Sequence, residues 1–179
     1  MSAPEYIQLQ AFARVHGLKL FVLWLGSFLC YVYGLRVPGL SLLAMLLAVL
    51  TPFLASHLLR TFRDNALNGV ISFLRGWLYE FLLFFYASLL FAAMQFLYFT
   101  FIDKGQLINE LTDILTAPEV KETFRQMGIN NSLEETLHMM SSLRPIDIVL
   151  NILLSNIMIG CFLGVPIAAF RTMKEQKQN

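Results

Sequence analysis

Four long runs of apolar residues restrict the possible folds of this chain more than any other feature. They cover residues 18–35, 40–59, 77–102 and 148–170. A helix needs about 20 mostly apolar residues to cross the roughly 30 Å hydrocarbon core of a bilayer, and each run has about that length or more. Charged residues make up only 14% of the chain, against roughly 25% in soluble domains. The sequence therefore predicts an all-α integral membrane protein, a bundle of four spanning helices.

The connections between the runs predict how the helices are arranged. Only residues 36–39 separate the first two runs, so these two helices must be adjacent and antiparallel. Pro52 follows Thr51 inside the second run. Because a proline inside a helix frees a carbonyl group, we expect a kink here, with the Thr51 hydroxyl bonding that carbonyl.

The segment 103–147 is the one long polar part of the chain. Its apolar spacing and its Pro and Gly residues predict three short amphipathic helices, with a capping box from Thr116 to Glu119 opening the second. Helices this short must pack on something. We expect them to cover the mouth of the bundle, and the bilayer surface or a partner protein are the alternatives. The chain 1–179 is thus predicted to be a single membrane domain with this segment as an insertion.

Lysine and arginine are distributed unevenly among the polar segments. Eight lie in the N-terminal segment, the connection between the second and third runs, and the C-terminal tail. Five lie on the other side, one in the short connection 36–39 and four in the much longer segment 103–147. Positive charge near the ends of spanning helices favours the cytoplasmic side. Both termini are therefore predicted to be cytoplasmic, and the insertion 103–147 is predicted to be extracytoplasmic.

Small residues recur at four-residue spacing in the first and fourth runs, a pattern that lets helices approach closely in lipid. The helix-packing residues predicted in this way are Gly26, Cys30, Gly34, Gly160 and Gly164. Packing within the chain is the favoured interpretation, and dimerisation through Gly160 and Gly164 is the alternative. Cys30 and Cys161 lie at different depths of their runs and are predicted to be free thiols.

Glu80 is the one acidic residue inside a predicted span. An ionisable side chain there is a candidate functional site by default. His57 and Arg60, and also His16 and Lys19, are expected at a similar depth near the cytoplasmic surface. We therefore predict a cytoplasmic-side polar cluster of His57, Arg60 and Glu80. An ion pair that anchors the helices is its favoured role, and a proton or ion site is the alternative.

The third run carries further polar side chains on the same helix face as Glu80. Ser88, Ala92 and Gln95 fall on that face at about 100° per residue. This face is predicted to pack against the other helices. A water-filled path along it would need more polar lining than the four runs offer.

The sequence contains no motif that assembles a catalytic, cofactor or metal site. It has no G-x-S-x-G, no H-E-x-x-H and no glycine-rich phosphate loop, and we expect the protein not to be an enzyme. A formal net charge of +1 and the lack of a Lys/Arg run argue against a nucleic-acid partner. The expected partners are the lipid bilayer and either a second copy of the chain or another membrane protein of the envelope.

Four features in order carry a family resemblance. They are the short first hairpin, the stretch 63–73 reading RDNALNGVISF, the aromatic third run closing with Phe101-Ile102-Asp103, and the amphipathic insertion. Over nearly the whole chain they resemble a bacterial family known as domain of unknown function 4199. The resemblance implies an inner-membrane protein of the Bacteroidetes group and brings no known activity. We expect a non-enzymatic accessory or interaction protein of the cell envelope, with a subunit of an oligomeric small-solute or ion transporter or channel as the alternative.

Overall fold

The computed structural model of the protein describes residues 3–34, 37–128 and 130–176. Within these ranges all regular secondary structure is helical. A short π-helical segment, Tyr98–Asp103, directly follows the fourth α-helix. The α-helices are α1 (Ala3–Gly34), α2 (Pro38–Val49), α3 (Thr51–Ala66), α4 (Phe73–Leu97), α5 (Gln106–Thr116), α6 (Pro118–Gln126), α7 (Asn130–Ser142) and α8 (Pro145–Gln176).

Four helical stretches of the described chain are long and apolar enough to cross a membrane. They are Ala3–Gly34, Gly39–Ala66, Phe73–Asp103 and Pro145–Thr172. The predicted all-α bundle of four membrane-spanning helices is therefore confirmed. The location of the insertion 103–147 on the outer side of the membrane stays a prediction.

Helix α1 begins at Ala3, well before the apolar run that starts at residue 18. Its first half is amphipathic, because Leu9, Ala13 and His16 are buried at helical spacing while the residues between them are more exposed. Polar residues on the outer face lower the hydropathy of this half. The helix is therefore longer than the apolar run that identifies it.

The second span is interrupted at Leu50, where α2 ends and α3 begins, and Pro52 lies in the first turn of α3. A proline is tolerated in a first turn because the N–H it lacks would have no partner inside the helix. The Thr51 hydroxyl accepts a hydrogen bond from Trp24 Nε1 at 3.1 Å. Among the described residues this hydroxyl donates to no carbonyl oxygen, so the expected bond to a freed carbonyl is wrong, and the hydroxyl joins α3 to α1 instead.

By its internal contacts the chain divides into two compact units. The first is Met1–Ala92 with Ile152–Asn179, and the second is Ala93–Asn151. The first unit holds α1, α2, α3 and most of α4 and α8. The second holds the end of α4, the π-helical segment, α5, α6, α7 and the start of α8.

The core of the first unit is largely aromatic. Phe62 of α3 stacks on Tyr79 of α4, with ring centroids 4.7 Å apart and an interplanar angle of 5°. Trp24 of α1 packs on Phe84 and Phe91 of α4, with centroids 5.8 and 5.7 Å away. These rings are buried and hold α1 and α3 against α4.

In the second unit, α5, α6 and α7 each contact the other two. The Thr116 hydroxyl donates to the Thr112 carbonyl oxygen inside α5 at 2.8 Å. Helix α6 begins after Ala117, whose side chain makes no capping hydrogen bond. The capping box expected from Thr116 to Glu119 is therefore wrong, because α5 extends through Thr116 and uses its hydroxyl.

Candidate functional site

A ridge of small residues on α8 faces α4 in the first unit. A methyl group added at Gly160 would lie 2.4 Å from Phe84 Cβ, and one added at Gly164 would lie 3.1 Å from Glu80 Cβ. Positions rise along one helix as they fall along the other, so the two helices run antiparallel. Small residues allow this approach, which brings the backbone of α8 next to the side chains of α4. The facing pairs are Gly76 with Ala168, Glu80 with Gly164, and Phe84 with Gly160.

Glu80 lies in this interface and is completely buried. Neither of its carboxyl oxygens has a hydrogen-bond partner among the described residues. The indole N–H of the nearby Trp77 donates instead to the Cys161 carbonyl oxygen at 3.2 Å. Burying a hydroxyl without a hydrogen bond costs roughly 1–3 kcal/mol, whereas an isolated carboxylate costs far more, up to tens of kcal/mol. The surroundings of Glu80 therefore favour a neutral carboxyl group.

The bases predicted to join Glu80 are not hydrogen-bonded to its carboxyl group. His57 and Arg60 are exposed on α3, and Arg60 Nε is 3.4 Å from Asp64 Oδ2 one turn along the same helix. The buried face of α3 is formed by Ala55, Leu58, Leu59 and Phe62. Positions 57 and 60 fall outside that face, so the structure does not bring His57 or Arg60 into an ion pair with Glu80.

Arg171 of α8 is a base that the sequence reasoning did not connect with Glu80. It interacts electrostatically with Glu80, but its Nη2 donates to the Ser56 carbonyl oxygen at 2.9 Å and to Ser56 Oγ at 2.8 Å. Its position seven residues after Gly164 becomes informative only once Glu80 is known to face Gly164. A spacing of seven residues returns to nearly the same face of a helix.

A second buried polar contact joins α1 to α4 beside Glu80. His16 Nδ1 is hydrogen-bonded to the hydroxyl of Tyr79, and both side chains are buried. The sequence placed His16 at the depth of Glu80, and the structure pairs it with the preceding residue of α4. Consecutive side chains of a helix point in directions about 100° apart around the helix axis, so Tyr79 faces His16 while Glu80 points to another side of α4.

The predicted polar face of α4 is buried. Glu80, Ser88, Ala92 and Gln95 are all nearly inaccessible to solvent. Ser88 Oγ and Gln95 Oε1 have no hydrogen-bond partner among the described residues. Buried polar atoms usually have partners, so unpartnered groups on one helix face mark α4 as the part of the chain to test for function.

The predicted packing residues of α1 differ in how closely they are approached. A methyl group added at Gly34 would lie 2.5 Å from Ser41 Oγ of α2, whereas at Gly26 the nearest atom is Leu47 Cδ1 at 3.9 Å. Cys30 is half-buried and is a free thiol. Gly34 therefore allows the tight return of α2, and Gly26 allows only an ordinary contact.

Gly17 is a packing residue that the sequence reasoning missed. A methyl group there would lie 3.0 Å from Tyr86 Cβ and 3.3 Å from the Ala87 amide nitrogen. The signal was Ala13 four residues earlier, which is also buried. Sequence patterning missed this pair because both residues lie before the apolar run that starts at residue 18.

The comparisons with known proteins identify a family and no activity. Residues 16–172 match the family described as Protein of unknown function (DUF4199). No curated protein and no solved structure matches the chain. The matched stretch includes Glu80 and the small residues of α8 that face it.

Proposed function

The chain belongs to the DUF4199 family of proteins of unknown function, and from that premise we propose that it is a non-enzymatic accessory or interaction protein. Its place is the bacterial cytoplasmic membrane, with both termini on the cytoplasmic side. It acts by binding another membrane protein of the envelope through its second unit.

Exposed apolar side chains on the second unit carry this proposal. Ile114 of α5, Met127 after α6 and Met139 of α7 expose 52%, 62% and 59% of their surface. Most of the other exposed side chains described on these helices are polar. Methionine is flexible and polarizable and is common on surfaces that adapt to a partner. Each short helix thus offers an apolar contact that a partner protein would cover.

The orientation is supported by the charges at one end of the first unit. Arg171 near the end of α8 donates hydrogen bonds to Ser56 of α3. Arg75 Nη1 of α4 is 3.5 Å from Glu5 Oε1 of α1. The start of α1, the part of α3 at Ser56, the start of α4 and the end of α8 therefore share one end of the bundle. Arginines concentrated at that end favour the cytoplasmic side.

Site-specific photo-crosslinking in the membrane tests the interaction role. A photoreactive residue would replace Met139 in the second unit, and a matched control would replace Phe162, which is 70% exposed on α8 within a candidate span. We expect a defined protein adduct from position 139 and lipid adducts from position 162, identified by mass spectrometry. Lipid adducts alone from both positions would contradict the proposal.

A subunit of a small-solute or ion transporter or channel is the second candidate. The observation that favours it is the pair of buried, unpartnered polar groups of Glu80 and Ser88 inside a candidate span. Purified protein in vesicles would then carry a flux that Glu80→Gln reduces and Glu119→Gln, on exposed α6, does not. Vesicles with no flux before and after the change would remove this candidate.

A further inference from the structure

Glu80 is a buried ionisable group that an interaction protein does not need. Its side chain is completely enclosed in the first unit, against the backbone of α8 at Gly164. It lies inside the candidate span Phe73–Asp103. A carboxyl group in such a position must be neutral, paired with a base, or bound to a cation.

Among the described residues, no base is hydrogen-bonded to Glu80. The charged or titratable groups of this part of the chain that interact with Glu80 are Arg171 of α8 and Tyr79 of α4. Arg171 Nη2 donates hydrogen bonds to Ser56, and the Tyr79 hydroxyl is hydrogen-bonded to His16 of α1.

The bases of α3 are also engaged elsewhere or exposed. Arg60 and Arg63 both pair with Asp64 of the same helix. His57 of α3 is exposed.

A metal cation also does not fit this site. Hard cations such as Ca²⁺ and Mg²⁺ need about six or more oxygen ligands. Among the described residues, no three His, Cys, Asp or Glu side chains lie together as a metal-binding group. Apart from the backbone of α8 itself, the three atoms nearest to a methyl group built at Gly164 belong to Glu80 and the Trp77 indole, and none of them is an oxygen. A proton needs no further ligand, because it forms a covalent O–H bond with the carboxylate.

We propose that Glu80, enclosed between α4 and α8, is a proton-binding site and that the protein holds this carboxyl as the neutral acid in the membrane. The proposal goes beyond an interaction role, since partner binding through the second unit requires no protonatable group in the first. Release of the proton leaves a carboxylate against the α8 backbone. Proton binding at Glu80 and close packing of α4 on α8 are therefore coupled.

Infrared spectroscopy of the purified full chain in lipid vesicles at neutral pH tests the proposal directly. A protonated carboxylic acid has a carbonyl stretch distinct from the bands of carboxylates and amides. We expect this band in the wild type, its loss in Glu80→Gln, and its retention in the control Glu119→Gln. Glutamine has nearly the same size and is neutral, so the bundle should remain folded.

Isotope labelling keeps the test decisive if a variant does not fold. In wild-type protein with carbon-13 in the glutamate side chains, the band should shift, which separates Glu80 from the buried Asp103. The absence of a protonated-acid band in the wild type would overturn the proposal. A band that shifts with glutamate labelling and still survives Glu80→Gln in folded protein would overturn it as well, and so would a wild-type band that is unaffected by the labelling. Neither result would affect the crosslinking test of the interaction role.

Discussion

At the scale of single residues, the space around a helix position decides whether a residue that favours the helix also fits between the packed helices. Gly160 lies against Cβ and Cγ of Phe84, which are close to the backbone of α4 and cannot swing away. Gly26 has its nearest neighbour at the flexible end of Leu47. Both are glycines inside a helix and within a predicted span, and only their tertiary contacts differ.

Replacement of these two glycines by alanine should have opposite effects. Alanine improves the helix propensity at either position by about 1 kcal/mol. At Gly160 the added methyl group overlaps Phe84 at 2.4 Å, and overpacking of this kind costs about 1–3 kcal/mol. We therefore expect Gly160→Ala to lower the midpoint of thermal unfolding in mild detergent and Gly26→Ala to leave it unchanged or raise it. Equal midpoints for the two variants would contradict the close approach of α8 to α4.

The predicted polar cluster of His57, Arg60 and Glu80 does not form ion pairs to Glu80, and the reason is the direction of each side chain. All three side chains are predicted at a similar depth, because depth follows from counting residues along a helix. Their directions around α3 and α4 depend on which faces the helices present to each other. Helix α3 presents Phe62 and Leu59 to the core, and His57 and Arg60 are left exposed.

At the scale of elements, the register between α4 and α8 is the feature that organises the first unit. Three facing pairs at four-residue intervals follow each other along the two helices. This register places Glu80 opposite a glycine instead of a larger residue. A shift by one turn in one direction would bring Glu80 against the larger Ala168, so the enclosure of its carboxyl depends on both helices.

A disulfide bond tests this register. With Cys30 and Cys161 replaced by alanine, Gly76→Cys and Ala168→Cys should crosslink under mild oxidation. A methyl group at Gly76 would lie 3.3 Å from Ala168 Cβ, close to the roughly 3.5–4.5 Å between Cβ atoms in disulfides.

Gly76→Cys combined with Phe170→Cys is the control, since Phe170 is exposed on another face of α8. Crosslinking is read by mass spectrometry after alkylation of free thiols. A product of two linked chains, or reaction of the control pair alone, would show that the register is different.

At the scale of the whole molecule, four candidate spans and a polar segment between the third and fourth define a topology that can be measured. In a chain without its native cysteines, Lys121→Cys on exposed α6 should react with a membrane-impermeant maleimide in intact spheroplasts. Asn65→Cys, exposed near the end of α3, should react only after permeabilisation. The physical reason is the excess of Lys and Arg on the side of Asn65. The reverse labelling pattern would contradict the proposed orientation.

The sequence by itself determined the properties that depend on local hydrophobicity. The helical class, the four spanning segments and the family follow from runs of apolar residues and the order of motifs, and each is confirmed. The three short helices between 103 and 147 could also be located, although the Thr116 cap was wrong because the preceding helix uses that hydroxyl. These features are encoded within a few turns of chain, and they need no knowledge of the neighbours.

Only the tertiary structure decided which residues meet. The spanning parts of α4 and α8 are apolar on nearly every face, so the sequence pattern contains little information about their rotation around the helix axis. For this reason the contact of Glu80 with Gly164 and the bond of Arg171 to Ser56 could not be derived from spacing. Rotation and register are set by the fit of side chains between helices, which exists only once the bundle has formed.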